Sequence, residues 1–145
     1  MKSKQLLPII VLSLFSISAF GQTDTIAKKK YQVSQGAGYA QAVLVDNILY
    51  ISGTVASGDM AAQLKGTYTG IERTLKAYNA TFQNVVKENL YTTDIEAVKS
   101  NNEVRKAFYK GDYPAATWVQ ISRLFMPNAL VEVEVIAHLP ANKTK

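Results

Sequence analysis

We predict an α+β fold for one small domain, in which two helices cover one face of a mixed sheet. Short apolar runs typical of strands alternate along the 145-residue chain with segments of helical spacing. Residues 130–138 alternate apolar with polar side chains, as a strand with one buried face does. No long internal repeat competes with this interpretation.

The first strands come from the segment before residue 55. Residues 30–34 predict a short first strand, and residues 40–45 and 48–53 predict two longer ones. The two longer runs are separated by Asp46 and Asn47 alone. Both residue types tolerate positive φ, so a two-residue gap of this kind favours a hairpin.

The first helix follows Asp59, which we expect to be its N-cap. Gly66 and Gly70 lie four residues apart inside this helix. They either leave a flat face for close packing on the sheet or are simply tolerated at about 1 kcal/mol each. One apolar stripe at helical spacing predicts the buried side: Met60, Leu64, Ile71, Leu75 and Tyr78.

A strand over residues 85–93 follows, with a polar centre that argues for partial exposure. Asp94 is the second expected N-cap, and residues 95–110 form the second helix, closed by Gly111. The pattern of this helix is weaker. Its expected buried side comprises Ile95, Val98, Asn102 and Phe108.

Residues 117–124 and 130–138 form a closing pair of strands, which gives the order ββαβαββ, or βαβαββ without the first strand. In the last strand Glu132 and Glu134 share one face, directed either to water or to a functional cleft. Some strands are apolar on both sides, which predicts that the second sheet face is buried against other subunits. The residues concerned are Leu44, Val45, Ile48 and Tyr50.

The first 21 residues have the pattern of a secretory signal peptide. Lys2 and Lys4 precede an apolar run over residues 6–20, and cleavage is expected between Gly21 and Gln22. The alternative is a membrane anchor, but the run is shorter than the ~20 residues that span a bilayer. We therefore expect a periplasmic or secreted protein that is not attached to a membrane after cleavage. Residues 22–29 would form a disordered tether and residues 140–145 a C-terminal tail around a domain at 30–139.

Composition excludes several kinds of site. The chain has no cysteine, hence no thiol nucleophile and no thiolate metal site. Its one histidine, His138, excludes a multi-histidine metal site. Without the signal peptide the net charge falls from +5 to +3, and the basic runs near the ends are typical of solvated tails. We expect no nucleic-acid partner and no metal.

Several segments together resemble one family, the Rid proteins (YjgF-like, reactive intermediate deaminases). They occur in the family's order over nearly all of the chain after the signal peptide. The resemblance implies a chorismate-mutase-like subunit, a homotrimer whose sheets form a central barrel, and small-molecule sites between subunits. It also implies hydrolysis of enamines and imines to 2-oxo acids and ammonia without any cofactor. The segments are GYAQAV (38–43), LYISG (49–53), NVVKENLYTTDI (84–95), NEVRKAFY (102–109), YPAATWVQISRL (113–124) and ALVEVEVIA (129–137).

The resemblance assigns site residues one by one. Tyr39 is similar to the family's cleft tyrosine, and Gly53 to a glycine whose backbone contacts the ligand. Asn102 matches the asparagine near the site. Glu132 matches the glutamate that positions the attacking water, and Glu134 is its neighbour. Without the resemblance, Tyr39 would be interpreted as a packing tyrosine, Asn102 as a cap of local backbone and Glu132 as part of a solvated strand face.

The sequence departs from the family at the substrate-binding strand. The family's Pro-Ala-Arg-Ser is here Pro114 to Thr117, with Ala116 where an arginine grips the substrate carboxylate. We expect Ala116, Thr117 and Trp118 to line the site, with the tryptophan filling or relining the cleft or packing at a trimer interface. Further departures are Ala40 for a serine and Thr54 for a glutamine.

Three functions remain open. The first is an exported Rid-like protein with an atypical cleft that binds a small molecule, its deaminase activity weak or lost. The second is a working 2-iminobutanoate/2-iminopropanoate deaminase that recruits a substitute cation. The third is endoribonuclease-like RNA cleavage, which the low positive charge makes weaker.

Overall fold

The computed structural model describes residues 26–140, which form one six-stranded mixed sheet with helices on one face. The predicted signal peptide, the first part of the tether and residues 141–145 lie outside the described residues. The strands are β1 (Lys29–Ser34), β2 (Tyr39–Val45), β3 (Ile48–Thr54), β4 (Val85–Thr92), β5 (Ala115–Gln120) and β6 (Val131–His138). The helices are α1 (Met60–Lys76), α2 (Ile95–Ser100) and α3 (Asn102–Tyr109), with a short 3-10 helix at Phe82–Asn84.

The strand order across the sheet is β1-β2-β3-β6-β4-β5, antiparallel throughout except for the parallel pair β4 and β5. The predicted mixed sheet with helices on one face is confirmed. The three strands predicted before α1 are all present, so the written order ββαβαββ counts one strand too few. The closing strands β5 and β6 do not pair with each other, because β4 lies between them.

The predicted partial exposure of the polar centre of β4 is confirmed for Lys87 and Asn89 but is wrong for Glu88. Glu88 is fully buried, and β4 is an interior strand with neighbours on both sides. Local polarity predicts solvent contact unless the polar group finds partners inside, and Glu88 has such partners.

The predicted hairpin and first helix are confirmed in detail. Asp46 has φ 52, as the tight β2–β3 turn requires. Asp59 Oδ1 accepts the backbone N–H of Ala62 at 2.9 Å, which caps α1. Met60, Leu64, Ile71 and Leu75 are buried as predicted, whereas Tyr78 lies beyond the end of the helix and is half-buried.

The two glycines of α1 admit a close neighbour. A Cβ on Gly66 would lie 2.6 Å from the Cβ of Ala56, and one on Gly70 would lie 2.9 Å from Cγ2 of Thr54. Both distances are shorter than carbon atoms tolerate. The glycines therefore let α1 approach the end of β3 and the loop after it, and close packing is the better of the two interpretations.

The second predicted helix is interrupted at Asn101, which has φ −106 and ψ 13. Its side-chain Nδ2 donates to the carbonyl of Ala97 at 2.9 Å, so the side chain competes with the backbone pattern of a continuous helix. Chain reversal follows at Lys110 (φ 54) and Gly111 (φ 92). Val98 is buried as expected, but the main buried residues of α3 are Arg105 and Tyr109, which the apolar pattern did not predict.

The core lies between the sheet and the helices. Val131, Val133, Val135 and Ala137 of β6 are all buried there, as their alternation predicts. We call the opposite side of the sheet the open face; it presents Tyr50, Lys87, Asn89, Tyr91, Glu132, Glu134 and Ile136. Tyr50 is 45% exposed on it. Within residues 26–140, no helix is long and apolar enough to cross a membrane.

Gly66→Ala is expected to destabilise the fold although alanine is the better helix former. Alanine gains about 1 kcal/mol of helix propensity, but its methyl group collides with the backbone-fixed Cβ of Ala56, and overpacking costs about 1–3 kcal/mol. We expect a net loss of about 1 kcal/mol in the free energy of unfolding by urea titration. Thr69→Ala, at an exposed position of the same helix, is the control and should be neutral or slightly stabilising. Combining Gly66→Ala with Ala56→Gly should restore stability; if it does not, the close contact is not the cause.

Candidate functional site

The open face carries two carboxylates from β6 because alternate residues of a strand point to the same side. Glu134 accepts hydrogen bonds from Asn89 Nδ2 at 2.8 Å and from the hydroxyl of Tyr91 at 3.0 Å. Burial and the hydrogen bond to this carboxylate raise the pKa of Tyr91, which keeps its hydroxyl protonated. Glu134 is therefore fixed in place by β4.

Glu132 is seated against Gly53. The pairing of β3 with β6 shifts register between Ile51 and Thr54, and this irregularity brings Gly53 beside Glu132. A Cβ on Gly53 would overlap Oε1 of Glu132, so the carboxylate occupies space that is free because Gly53 has no side chain. We call this space the glycine seat. Burial, and next the charge of Glu134, raise the pKa of Glu132. A carboxyl group with a raised pKa is suited to exchanging a proton with a bound water.

A cavity of about 220 Å³ opens on the same face near Glu134, lined by Tyr50, Ile51, Ser52, Lys87, Asn89, Glu134, Val135 and Ile136. Lys87 places a cation there, and its Nζ donates to Oγ1 of Thr117 at 2.7 Å. Lys87 was not among the predicted site residues. The signal was available, since Lys87, Asn89 and Tyr91 alternate along β4.

A second polar cluster lies on the helix side, around the fully buried Glu88. Its Oε2 accepts the hydroxyls of Tyr68 at 3.0 Å and Tyr109 at 2.7 Å. Its Oε1 accepts Nε of Arg105 at 2.9 Å and Nε1 of Trp118 at 3.0 Å. Burial and the charge of Glu88 raise the pKa of both tyrosines, so their hydroxyls stay protonated and donate.

Arg105 is enclosed by aromatic rings. Its side chain is 7% exposed, and Cζ lies 4.7 Å from the ring centroid of Tyr109, 5.1 Å from that of Trp118 and 5.7 Å from that of Tyr113. Burial disfavours its charge, but the charge of Glu88, the hydrogen bond to it and the nearby tyrosines together outweigh burial and raise the pKa of Arg105. The guanidinium is therefore a fixed cation next to β5.

The structure divides the predicted site residues between the two faces of the sheet. Gly53, Glu132 and Thr117 belong to the open face. Ala116 pairs with Glu88, so it shares the helix side with Trp118, whose indole is bound to Glu88 within its own chain.

Two more predicted site residues lie at the starts of secondary-structure elements. Asn102, at the start of α3, has a buried Oδ1 without a partner among the described residues. Tyr39 begins β2 and is 47% exposed. A single chain thus brings Gly53 and Glu132 together, whereas Ala116 and Trp118 lie on the opposite side of the sheet.

No group of three or more metal-ligating side chains occurs within residues 26–140. The chemistry that the open face offers is that of carboxylates, an amide, a phenol and an ammonium group around a small cavity. This set can position a water and exchange a proton with it.

Comparison with known proteins gives consistent matches. Residues 30–139 match the family described as Endoribonuclease L-PSP. The human 2-iminobutanoate/2-iminopropanoate deaminase is 33% identical over 108 residues, which are 68% of this chain and 78% of the human protein. The Drosophila melanogaster RutC family protein UK114 is 31% identical over 135 residues, 84% of this chain and 97% of that protein. A crystal structure of a YjgF/YER057c/UK114 family member from Mycobacterium tuberculosis superposes with a TM-score of 0.69 at 30% identity, covering 79% of this chain and 98% of that one.

Glu132→Gln is expected to stabilise the protein at neutral pH. The folded-state pKa of Glu132 lies above the unfolded-state value, so stability is lost as pH rises from the ordinary carboxyl range through the raised pKa. Glutamine removes this loss. Thermal unfolding should give a higher midpoint for the variant at neutral pH, and the difference should shrink in acid. Glu103→Gln, at an exposed position of α3, is the control. A difference independent of pH would contradict the buried-carboxyl explanation.

Proposed function

Because this chain belongs to the Endoribonuclease L-PSP family, also called the YjgF or Rid family, we propose that it binds a small molecule in a cleft between subunits. We further propose that it hydrolyses imines far more slowly than the 2-iminobutanoate/2-iminopropanoate deaminases to which it is similar. The observation that carries the proposal is the pair formed by Glu132 in its glycine seat and Ala116 on the edge strand.

Glu132 supplies the group that hydrolysis requires. Oε1 of Glu132 lies where Gly53 leaves room, and the raised pKa fits a group that takes a proton from water attacking a C=N carbon. No metal or organic cofactor is needed for such a step, because the imine carbon is already electrophilic. A bound imine would lose ammonia after water addition, leaving a carbonyl product.

Ala116 weakens the binding of the usual substrates, the 2-imino acids. An arginine binds a carboxylate through a planar fork of N–H donors, and the methyl group of Ala116 offers none. Loss of such a partner costs about 2–5 kcal/mol. Lys87, on the open face, is held by Thr117 and faces away from the side on which Ala116 lies. Small 2-imino acids are therefore expected to bind poorly.

The division of the site residues between two faces supports a cleft built by more than one chain. The open face, with Tyr50 45% exposed and a cavity beside Glu134, would be covered by neighbouring copies in a homotrimer. A residue of one copy could then complete the site beside Glu132 of another. Export through the expected signal peptide would also remove the protein from imines made in the cytosol.

Imine trapping tests the proposal directly. An amino-acid oxidase generates 2-iminobutanoate or 2-iminopropanoate with semicarbazide present, and the semicarbazone is followed by absorbance. Wild-type protein should suppress trapping only at high concentration, whereas Ala116→Arg should gain roughly tenfold or more in activity. Ala115→Arg adds the same charge one residue away on the opposite face and should gain little.

Glu132→Gln should abolish the residual activity of the wild type and the gain of Ala116→Arg alike, since both depend on the same water. Wild-type suppression of trapping at catalytic ratios, matching that of the human deaminase, would show a working deaminase instead. A gain that survives Glu132→Gln would remove Glu132 from the mechanism.

A further inference from the structure

We propose that the terminal nitrogens of Arg105 form a carboxylate-binding subsite beside Ala116, and that its ligand is a carboxylate attached to a flat aromatic body. The inference rests on the proposed function in so far as the protein binds a small molecule. It adds the chemical class of that molecule and a residue that selects it. Ala116, at the family arginine position, borders the approach to this subsite but donates nothing to the ligand, and the open-face cavity is not involved.

The first argument is a count of donors and acceptors at the buried cluster. A carboxylate offers about four lone-pair sites, and Glu88 fills them with Tyr68, Tyr109, Trp118 and Nε of Arg105. Glu88 has no further capacity for the guanidinium. Among the described residues, no other acceptor binds Arg105, so four of its five N–H donors lack a protein partner.

The second argument concerns access. Unpartnered side-chain nitrogen and oxygen atoms that are fully buried in the described chain are Thr67 Oγ1 and Asn102 Oδ1. The terminal nitrogens of Arg105 are not among them, although the residue as a whole is only 6% exposed. The small exposed part of this side chain therefore includes its unpartnered donors. Buried donors that meet solvent only through a small opening favour an ionised acceptor over a mobile water.

The third argument is the rigidity of the guanidinium. Glu88 fixes Nε, and the rings of Tyr109 and Trp118 flank the group at 4.7 Å and 5.1 Å from Cζ. A ligand does not have to immobilise this side chain, so less affinity is lost on binding. The charge of Glu88 is shared among four donors, which leaves the outer edge of the guanidinium positive.

The surroundings of the opening indicate what the carboxylate is attached to. Tyr113 is 51% exposed, and its ring centroid lies 5.7 Å from Cζ of Arg105. An aromatic body bound to a carboxylate can stack on that ring while the carboxylate reaches the guanidinium. Ala116 lies on the same side of the sheet and is exposed, so its small side chain keeps the approach open. A small aliphatic 2-imino acid would leave the tyrosine ring unused.

Phenylacetate and phenylacetamide are the matched probes. They share the ring and methylene group and differ in charge, so the full-length protein should bind phenylacetate about tenfold or more tightly in calorimetric titration. In ¹⁵N-labelled protein, the side-chain N–H resonances of Arg105 should shift on titration with the acid and stay in place with the amide.

Variants on β5 locate the site without disturbing the core. Ala116→Glu places a competing carboxylate on the side of Glu88 and Arg105 and should weaken phenylacetate binding about tenfold. Ala115→Glu adds the same charge on the opposite face, also at an exposed position, and should change the affinity less than about twofold. Circular dichroism and the thermal midpoint of each variant would confirm that both are folded.

Three results would overturn the proposal: equal affinity for acid and amide, no binding of phenylacetate at millimolar concentration, or equal loss in Ala116→Glu and Ala115→Glu. Glu132→Gln separates this proposal from the imine chemistry, since phenylacetate binding should survive it. Imine turnover that depends on Glu132, together with absent phenylacetate binding, would reject the Arg105 subsite and leave the proposed function standing. Phenylacetate binding without any imine turnover would support the Arg105 subsite and reject the residual hydrolysis assigned to Glu132.

Discussion

The fold on the helix side depends on one buried carboxylate. Glu88 of β4 binds Tyr68 of α1, Arg105 and Tyr109 of α3, and Trp118 of β5. Burying an ion costs several kcal/mol unless its lone pairs are satisfied, and here each oxygen receives two donors. The four bonds have directions as well as strength, so they fix the positions of two helices and an edge strand relative to the centre of the sheet.

The second constraint is the alternation of side chains along a strand. It places Glu132 and Glu134 together, and it separates Ala116 from Thr117 although they are neighbours in sequence. Adjacent residues of β5 therefore lie on the two opposite faces of the sheet. Under the proposed function, a ligand site that uses both surfaces would draw one of them from another copy of the chain.

Features governed by neighbours in sequence were predictable. The Asp46 turn, the caps at Asp59 and Asp94 and the alternation of β6 follow from local chemistry, and the structure confirms them. Features governed by distant partners were not. The interior position of β4 depends on donors from α1, α3 and β5 that satisfy Glu88, and no pattern within β4 reveals them. The seat of Glu132 at Gly53 needs the register shift, which the sequence does not show.

The indole that completes the Glu88 cluster belongs to Trp118, the one tryptophan of the 145-residue chain. Its Nε1–H points at a carboxylate oxygen, and its ring lies 5.1 Å from the guanidinium carbon of Arg105. The tryptophan fluorescence of this protein therefore originates at the junction of β4, β5 and α3. Changes at that junction can therefore be followed by tryptophan fluorescence without a label, because the chain has no second indole.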